Sequence, residues 1–423
     1  MGDRTRSVID ASYQNSFAVR AGYLPVDRGE LDQWHLQLSD VIAKHDVTLG
    51  YSAAVAKIRD LIYDDPIVRM WVTQMLEQAR KLAKTHGDQY FHITKISELL
   101  AALDWILTQA PTYGGAVGVP KIHFPMSALF GYMMMTDAGE ALFRHEGFNA
   151  ALLGVLTQWC THLESPKSAS VLNGNPGGWL SPKAIHKLKL REFERDEEDE
   201  HWGYLSWNTF FYRELEDIQT QRPLAGDGDH KIIVSANDGQ VRAIGRNVHG
   251  HDKFWAKGNH FSLRDILQGH YIKQFSRGDV LQSFLEGSDY HHFVSPIEGT
   301  ITKIVSVPGL LFSDAESGGF DPSGVNSLVY DTAVNTRTLV FIEGHPDIGM
   351  VCVIPIGITE ISSIVLADEI AEKAAVEKGQ KLGWFRFGGS TLCIVFQPGK
   401  VEFTVDDGSS LAAREQIAVV TKV

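Results

Sequence analysis

One peptide bond in the chain, Gly389-Ser390, stands between Phe385-Arg386-Phe387-Gly388 and the apolar run Leu392-Cys393-Ile394-Val395-Phe396. A serine hydroxyl close to the preceding carbonyl can attack it, exchange the amide for an ester, and leave by elimination. The new N-terminal residue then becomes a pyruvoyl ketone, an electrophile made by the chain from itself. That step asks for a peptide held in a strained turn, which two glycines without Cβ allow. A buried strand beyond Thr391 fixes the serine. Read alone, the same residues are an ordinary Gly-Gly-Ser turn between two strands. The surroundings decide between these readings.

The elements that must position such a bond fall into two textures. Over the first ~180 residues, Val55, Ile58, Leu61 and Ile62 recur at helical spacing, as do Leu99, Leu100, Leu103, Ile106 and Leu107. Breakers separate them at Pro111-Thr112-Tyr113-Gly114-Gly115, Gly118-Val119-Pro120 and Thr136-Asp137-Ala138-Gly139; Asn173 to Gly178 is the strongest loop signal. Arg191 to Glu200 is highly charged with no apolar face, and reads as a solvated linker or surface helix rather than an acidic metal site. From about residue 230, short β-rich runs alternate with Gly and Pro. They are Lys231 to Ser235, Val280 to Phe284, Thr300 to Val305, Thr338 to Ile342, Met350 to Ile356, Glu360 to Leu366 and Thr391 to Phe396. The expected fold class is α+β: a helical N-terminal domain over 1–185, an acidic linker over 186–204, and a predominantly β catalytic domain over 205–423.

Composition narrows the function. The 423 residues are 44% hydrophobic and 22% charged, as in a globular protein. A net charge of −13 repels nucleic acid and anionic membrane surfaces. Cys160, Cys352 and Cys393 have neither metal-ligand spacing nor an even-numbered framework, which points to a reducing compartment. No stretch reaches the ~18 apolar residues of a membrane span, the longest patch being Met126 to Met135. The polar start lacks a signal-peptide core, and Arg6 breaks the myristoylation pattern. The expected location is cytoplasmic.

Reading outward from Ser390, short motifs fall into one order. They are Phe210-Phe211-Tyr212-Arg213-Glu214-Leu215, Arg222-Pro223, Ser235-Ala236-Asn237-Asp238-Gly239, Lys257-Gly258, Asp289-Tyr290-His291-His292, Ser295-Pro296-Ile297-Glu298-Gly299, Val307-Pro308-Gly309, Asn335-Thr336-Arg337 and Ile356-Gly357. With Gly388-Gly389-Ser390-Thr391, this series resembles the phosphatidylserine decarboxylase family of pyruvoyl enzymes over residues 205–423. Ala110 to Gly114, Met133 to Gly139 and Gly178-Trp179-Leu180 are similar to the helical accessory region of fungal L-tryptophan decarboxylases.

The resemblance implies a self-cleaving zymogen. Ser390 is the pyruvoyl precursor and Gly389 the new C-terminus, with Gly388, Thr391 and Phe387 against the substrate. The ketone would take the substrate amine as a Schiff base and draw off the electrons released with CO₂, the work of pyridoxal phosphate elsewhere. Neither pyridoxal phosphate nor a metal is expected for it. His291 is the expected acid for the carbanion, and Asp238 the carboxylate that orients a cationic histidine, although a turn aspartate before Gly239 reads equally well. The family's second histidine falls at Val294. Strand alternation puts His292 on the face of Val294, about 6.5 Å away, so His292 is the expected substitute base for cleavage. The implied substrate is a soluble aromatic L-amino acid such as tryptophan, with phosphatidylserine as the alternative; a homo-oligomer stays open. The Val294 departure also keeps open an unprocessed, non-catalytic scaffold. A metal hydrolase built on His249 and His251 has little support.

Overall fold

The computed structural model describes residues 24, 27–46, 48, 50–250, 260–314, 327–360, 363–386 and 389–421. They divide into two compact units, one within Met1–Leu190, Arg195–Phe210 and Leu310–Asn326, the other Arg191–Glu194, Phe211–Gly309 and Ser327–Val423. The α+β reading holds: the first unit is helical and the second is built on β-sheet.

In the helical unit the main helices are α1 (Arg28–Lys44), α2 (Ala53–Asp64), α3 (Pro66–Thr85), α4 (Ile96–Ile106), α5 (Pro125–Met134), α6 (Asp137–Phe143) and α7 (Glu146–Leu163). The expected stripes are buried: Val55, Ile58 and Ile62 on α2, and Leu99, Leu100, Leu103 and Ile106 on α4. Starts are set by side chains. Asp65 accepts from the Ile67 and Val68 amides with Pro66 behind it, and Glu98 reaches back to the Lys95 amide. Every residue of α5 is buried, which fits its all-round apolar sequence. Thr136-Asp137-Ala138-Gly139 is a break in only one sense. Thr136 ends α5 and caps α6 through the Gly139 amide, so the next three residues open a helix. Any Cβ on Gly139 would lie 1.9 Å from the Met133 oxygen.

The β unit is organised by one eight-stranded antiparallel sheet. Its strands are β2 (Gly239–Val248), β3 (Gly278–Leu285), β5 (Gly299–Val307), β6 (Arg337–Glu343), β7 (Met350–Ile358), β9 (Ala375–Val376), β11 (Gly389–Phe396) and β13 (Ser410–Leu411), in the order β13-β2-β3-β11-β7-β6-β5-β9. One face packs on two three-stranded sheets. These are β1 (Ile232–Val234), β14 (Gln416–Val420) and β12 (Val401–Phe403), and β4 (His292–Val294), β10 (Lys381–Phe385) and β8 (Ile364–Leu366). The core there includes Phe293, Phe385, Leu392, Ile394, Phe396 and Ile417. The other face packs Cys393, Val395 and Ile354 against α8 (Leu263–Ile266), α9 (Ile272–Phe275) and α10 (Leu328–Val334).

Burial on both faces makes β7 and β11 continuous apolar runs, hence legible in the sequence. By contrast β2 carries Arg242, Gly245 and Arg246 and is half exposed, so no apolar run announced it. Glu360 to Leu366 shortens to β8, with 361 and 362 outside the described residues. Among the described residues, no helix is long and apolar enough to cross a membrane.

Gly239 begins β2 at φ 140°, and a Cβ there would sit 2.3 Å from the Phe284 carbonyl oxygen across the ladder. Gly239→Ala is expected to destabilise the protein by about 2 kcal/mol or more, read as a lower urea midpoint.

Candidate active site

Gly389 and Ser390 open β11. Gly389 pairs with Ile358, and Ser390 pairs with Gly357 on one side and Leu285 on the other. The strained turn expected from the two glycines is therefore replaced, at these two residues, by a regular ladder; Phe387 and Gly388 lie outside the described residues. Strand alternation turns Ser390 to the face of Leu392 and Ile394, and Thr391 to the face of Cys393. Ser390 is fully buried, and its Oγ has no hydrogen-bond partner among the described residues. A hydroxyl in that position costs about 1–3 kcal/mol, a cost accepted where the group has another use. The Thr391 hydroxyl, expected near the substrate, is instead committed: it donates to the Ser283 carbonyl (2.6 Å) and accepts from Gln282 Nε2 (3.0 Å). Asn335 Nδ2 donates to the Gly357 carbonyl at 3.1 Å and the Gly357 amide to Thr336, which fixes Ser390's partner strand.

His291 stands just before β4 and His292 opens it. His291 lies two residues before Phe293, whose ring is in the core that holds Leu392 and Ile394. Its carbonyl accepts from the Phe385 amide, five residues before Ser390, and it follows Ser390's ladder partner Leu285 by six residues. The fully buried ring stacks on Phe211 at 3.8 Å. Nδ1 lies 2.9 Å from the Asp289 carbonyl. A carbonyl only accepts, so Nδ1 carries the proton and Nε2 presents a lone pair that no group among the described residues meets. Burial, with Arg213 nearby, pushes the imidazolium well below the ordinary histidine range. The ring is neutral at pH 7.

His292 is held differently. Nε2 donates to the Tyr212 carbonyl at 2.7 Å, Nδ1 faces the Glu214 carboxylate at 3.7 Å, and the ring stacks on Tyr290 at 4.7 Å. Burial lowers its pKa, and Glu214 opposes that. At 3.7 Å from that carboxylate, Nδ1 has no hydrogen bond among the described residues. The expected substitute base is thus turned to Glu214, which also pairs with Lys381 at 2.7 Å.

Asp238 was expected to orient a histidine. Its carboxylate is instead gripped by Arg222, with Nε at 3.0 Å from Oδ1 and Nη2 at 2.6 Å from Oδ2, and it accepts the Ala413 amide at 2.7 Å. Arg222 also reaches Glu192 at 3.1 Å, so the acidic segment read as solvated supplies a residue behind the site. Asp289, partly buried beside Glu286 and Asp238, has its carboxyl pushed up to about 7, chiefly by desolvation.

Sequence reasoning passed over Phe211, Tyr212, Glu214 and Arg222 as site residues. The available signal was the density of aromatic and charged side chains in Phe210 to Leu215. Of the other expectations, His251 lies outside the described residues, and His249 joins no metal-capable cluster among them.

Residues 207–419 match a family model described as phosphatidylserine decarboxylase, and residues 52–188 match a second model of that description. The chain is 34% identical over 297 residues to the decarboxylase iboD of Amanita muscaria, spanning 65% of this chain and 84% of that protein. It is 30% identical over 346 residues to an L-tryptophan decarboxylase of Psilocybe cyanescens, spanning 75% and 77%. It is also 30% identical over 229 residues to the phosphatidylserine decarboxylase proenzyme of Fusobacterium nucleatum, spanning 52% and 68%. The chain belongs to the phosphatidylserine decarboxylase family, as its motifs implied. It is a carboxy-lyase of a family that works in general with a pyruvoyl group.

The Asp289 carboxyl, raised from 3.8 to about 7, binds its proton more tightly in the folded than in the unfolded chain. The penalty is therefore absent below about pH 4, grows as pH rises to 7, and is full above it. At about 1.4 kcal/mol per tenfold change in proton affinity, Asp289→Asn is expected to stabilise the protein by about 1–3 kcal/mol more at pH 8 than at pH 5. Urea unfolding at the two pH values checks this.

Proposed function

We propose that this chain cuts itself between Gly389 and Ser390 and, with the pyruvoyl group so formed at residue 390, decarboxylates an aromatic L-amino acid such as tryptophan. One observation carries the reading: the Ser390 hydroxyl and His291 Nε2 are both buried with no hydrogen-bond partner among the described residues, and the His291 carbonyl accepts from the Phe385 amide, five residues before Ser390.

His291 Nε2 takes the Ser390 hydroxyl proton as Oγ attacks the Gly389 carbonyl carbon. The peptide C–N bond breaks as the ester C–O bond forms, and the proton returns to the freed amine. Loss of the Cα proton then expels the Gly389 carboxylate from Cβ. The resulting enamine tautomerises and takes up one water, releasing ammonia and leaving a ketone. The residues fit this group: the serine it derives from is buried, its partner strands are pinned, and a neutral base has its free nitrogen exposed to the core.

When present, the ketone supplies an electron sink for the carboxylate carbon. The protein's part is then proton traffic. A substrate ammonium must lose a proton before its nitrogen is nucleophilic, and His291 Nε2 is able to accept it. That proton is afterwards delivered to the carbon from which CO₂ has left. His291 is thus first a base and then an acid, and His292, fixed through Tyr212 and Glu214, positions the start of β4.

The substrate class is supported by the similarity to L-tryptophan decarboxylases, which spans 75% of this chain. A second reading, phosphatidylserine, is favoured by the match to bacterial and eukaryotic phosphatidylserine decarboxylase proenzymes. Released CO₂ from carboxyl-labelled tryptophan, set against labelled phosphatidylserine vesicles, separates them; turnover of the vesicles alone overturns the amino acid reading.

Ser390→Ala is expected to remain one intact chain on denaturing gels. His291→Ala should slow cleavage at least a hundredfold, and His292→Ala by less than tenfold; the reverse order would remove His291 as the base. Because the buried ring is neutral, cleavage should proceed at one rate from pH 8 to pH 6. A base with the ordinary histidine pKa of ~6.5 would lose about three-quarters of its rate by pH 6.

A further inference from the structure

Apart from the network around Ser390, one cluster in the β unit has the chemistry of a metal centre. His230 lies in the turn that leads into β1, and His345 and Asp347 lie in the tight connection between β6 and β7. One donor atom from each lies within 4.8 Å of the others. His230 Nε2 is 3.2 Å from Asp347 Oδ2, and His345 Nδ1 is 3.4 Å from the same oxygen. Nitrogen and oxygen ligands at about 2.0–2.2 Å from zinc, arranged tetrahedrally, are themselves about 3.3–3.5 Å apart. Both measured separations fall at or near that edge length.

The Asp347 amide lies 3.3 Å from His345 Nδ1, and His230 Nε2 is at hydrogen-bond distance from Asp347 Oδ2, so an arriving ion exchanges these two weak contacts for ligand bonds. The two imidazole rings stack at 3.8 Å and 28°. All three side chains keep partial exposure, which gives an ion an entry path and leaves a fourth position for water.

The backbone around them is set. The Ile348 and Gly349 amides both donate to the His345 carbonyl, Gly349 turns at φ 72°, and Lys400 Nζ holds the Pro346 carbonyl at 2.9 Å. On the other side, the Lys231 amide is bonded to Asp229 Oδ1 at 2.9 Å. Both ligand-bearing turns are thus defined before an ion arrives.

We propose that His230, His345 and Asp347 bind one borderline divalent transition ion of the zinc class. Two imidazoles and a single carboxylate select against magnesium and calcium, which prefer all-oxygen shells. The ion would tie the turn before β1 to the β6–β7 connection, joining a three-stranded sheet to the eight-stranded one. Its role is a staple in the fold, separate from the proposed decarboxylation, since no ligand belongs to the Ser390 network.

The test uses the full chain stripped with a chelator and titrated with zinc chloride by calorimetry, and with cobalt chloride by visible absorption. One saturable equivalent is expected, with the strong absorption of a tetrahedral cobalt site and a rise in Tm with zinc but not magnesium. His345→Ala and Asp347→Ala should each weaken binding at least tenfold and abolish the rise in Tm. If no saturable equivalent appears, or both variants bind as the parent does, the ion is adventitious on other histidines and the proposal is overturned.

Discussion

The arrangement depends on a cost the fold does not avoid: the Ser390 hydroxyl is withdrawn from water with nothing to bond to. Several neighbouring polar groups are bonded, although Gln282 Oε1 on β3 is, like the serine, without a partner among the described residues. Thr391 is bonded to Ser283 and Gln282, Ser283 to Asn237, and Gly357 to Asn335. Satisfying Thr391 and leaving Ser390 bare, one residue apart, separates a structural hydroxyl from a reactive one. The two-sided ladder keeps the serine from rotating out to find a partner, since β3 and β7 hold its backbone from both sides.

The second group depends on the same desolvation. A histidine in water divides its proton between two nitrogens and titrates near neutrality. Packing the His291 ring on Phe211 and giving Nδ1 the Asp289 carbonyl removes both freedoms. What is left is a neutral imidazole with its lone pair at Nε2. His292 has equal burial and other surroundings: Nε2 is on the Tyr212 carbonyl, and Nδ1 stands 3.7 Å from the Glu214 carboxylate without a hydrogen bond. Residues 211–214 therefore set the surroundings of both rings. The carboxylate expected beside a histidine is taken by Arg222, which makes Asp238 an anchor for the turn into β2.

The fold class was legible because both textures follow from burial. Stripes at 3.6-residue spacing on α2 and α4 have one wet face, and the runs in β7 and β11 have none. Where burial is partial the pattern fades, as in β2 with Arg242 and Arg246. Residues around Thr136 were read as a break because a capping threonine and a close-packed glycine have the same composition as a turn. The serine was conspicuous through its glycines and the strand behind it; a ladder and a turn draw on the same residues, and Gly389 and Ser390 are found in a ladder. Sequence offered both histidines; only contacts with a segment some eighty residues away distinguish them. Glu192 was hidden within a run of like charges whose partner, Arg222, is thirty residues distant.

The most direct test of the central claim is the mass of the piece spanning residues 390–423, taken from protein purified without added amines. The account predicts a fragment one ammonia lighter than the same peptide with an N-terminal serine, and a covalent gain in mass when borohydride is added with tryptamine. A single uncut chain, or a fragment that retains its serine nitrogen and forms no adduct, would contradict it.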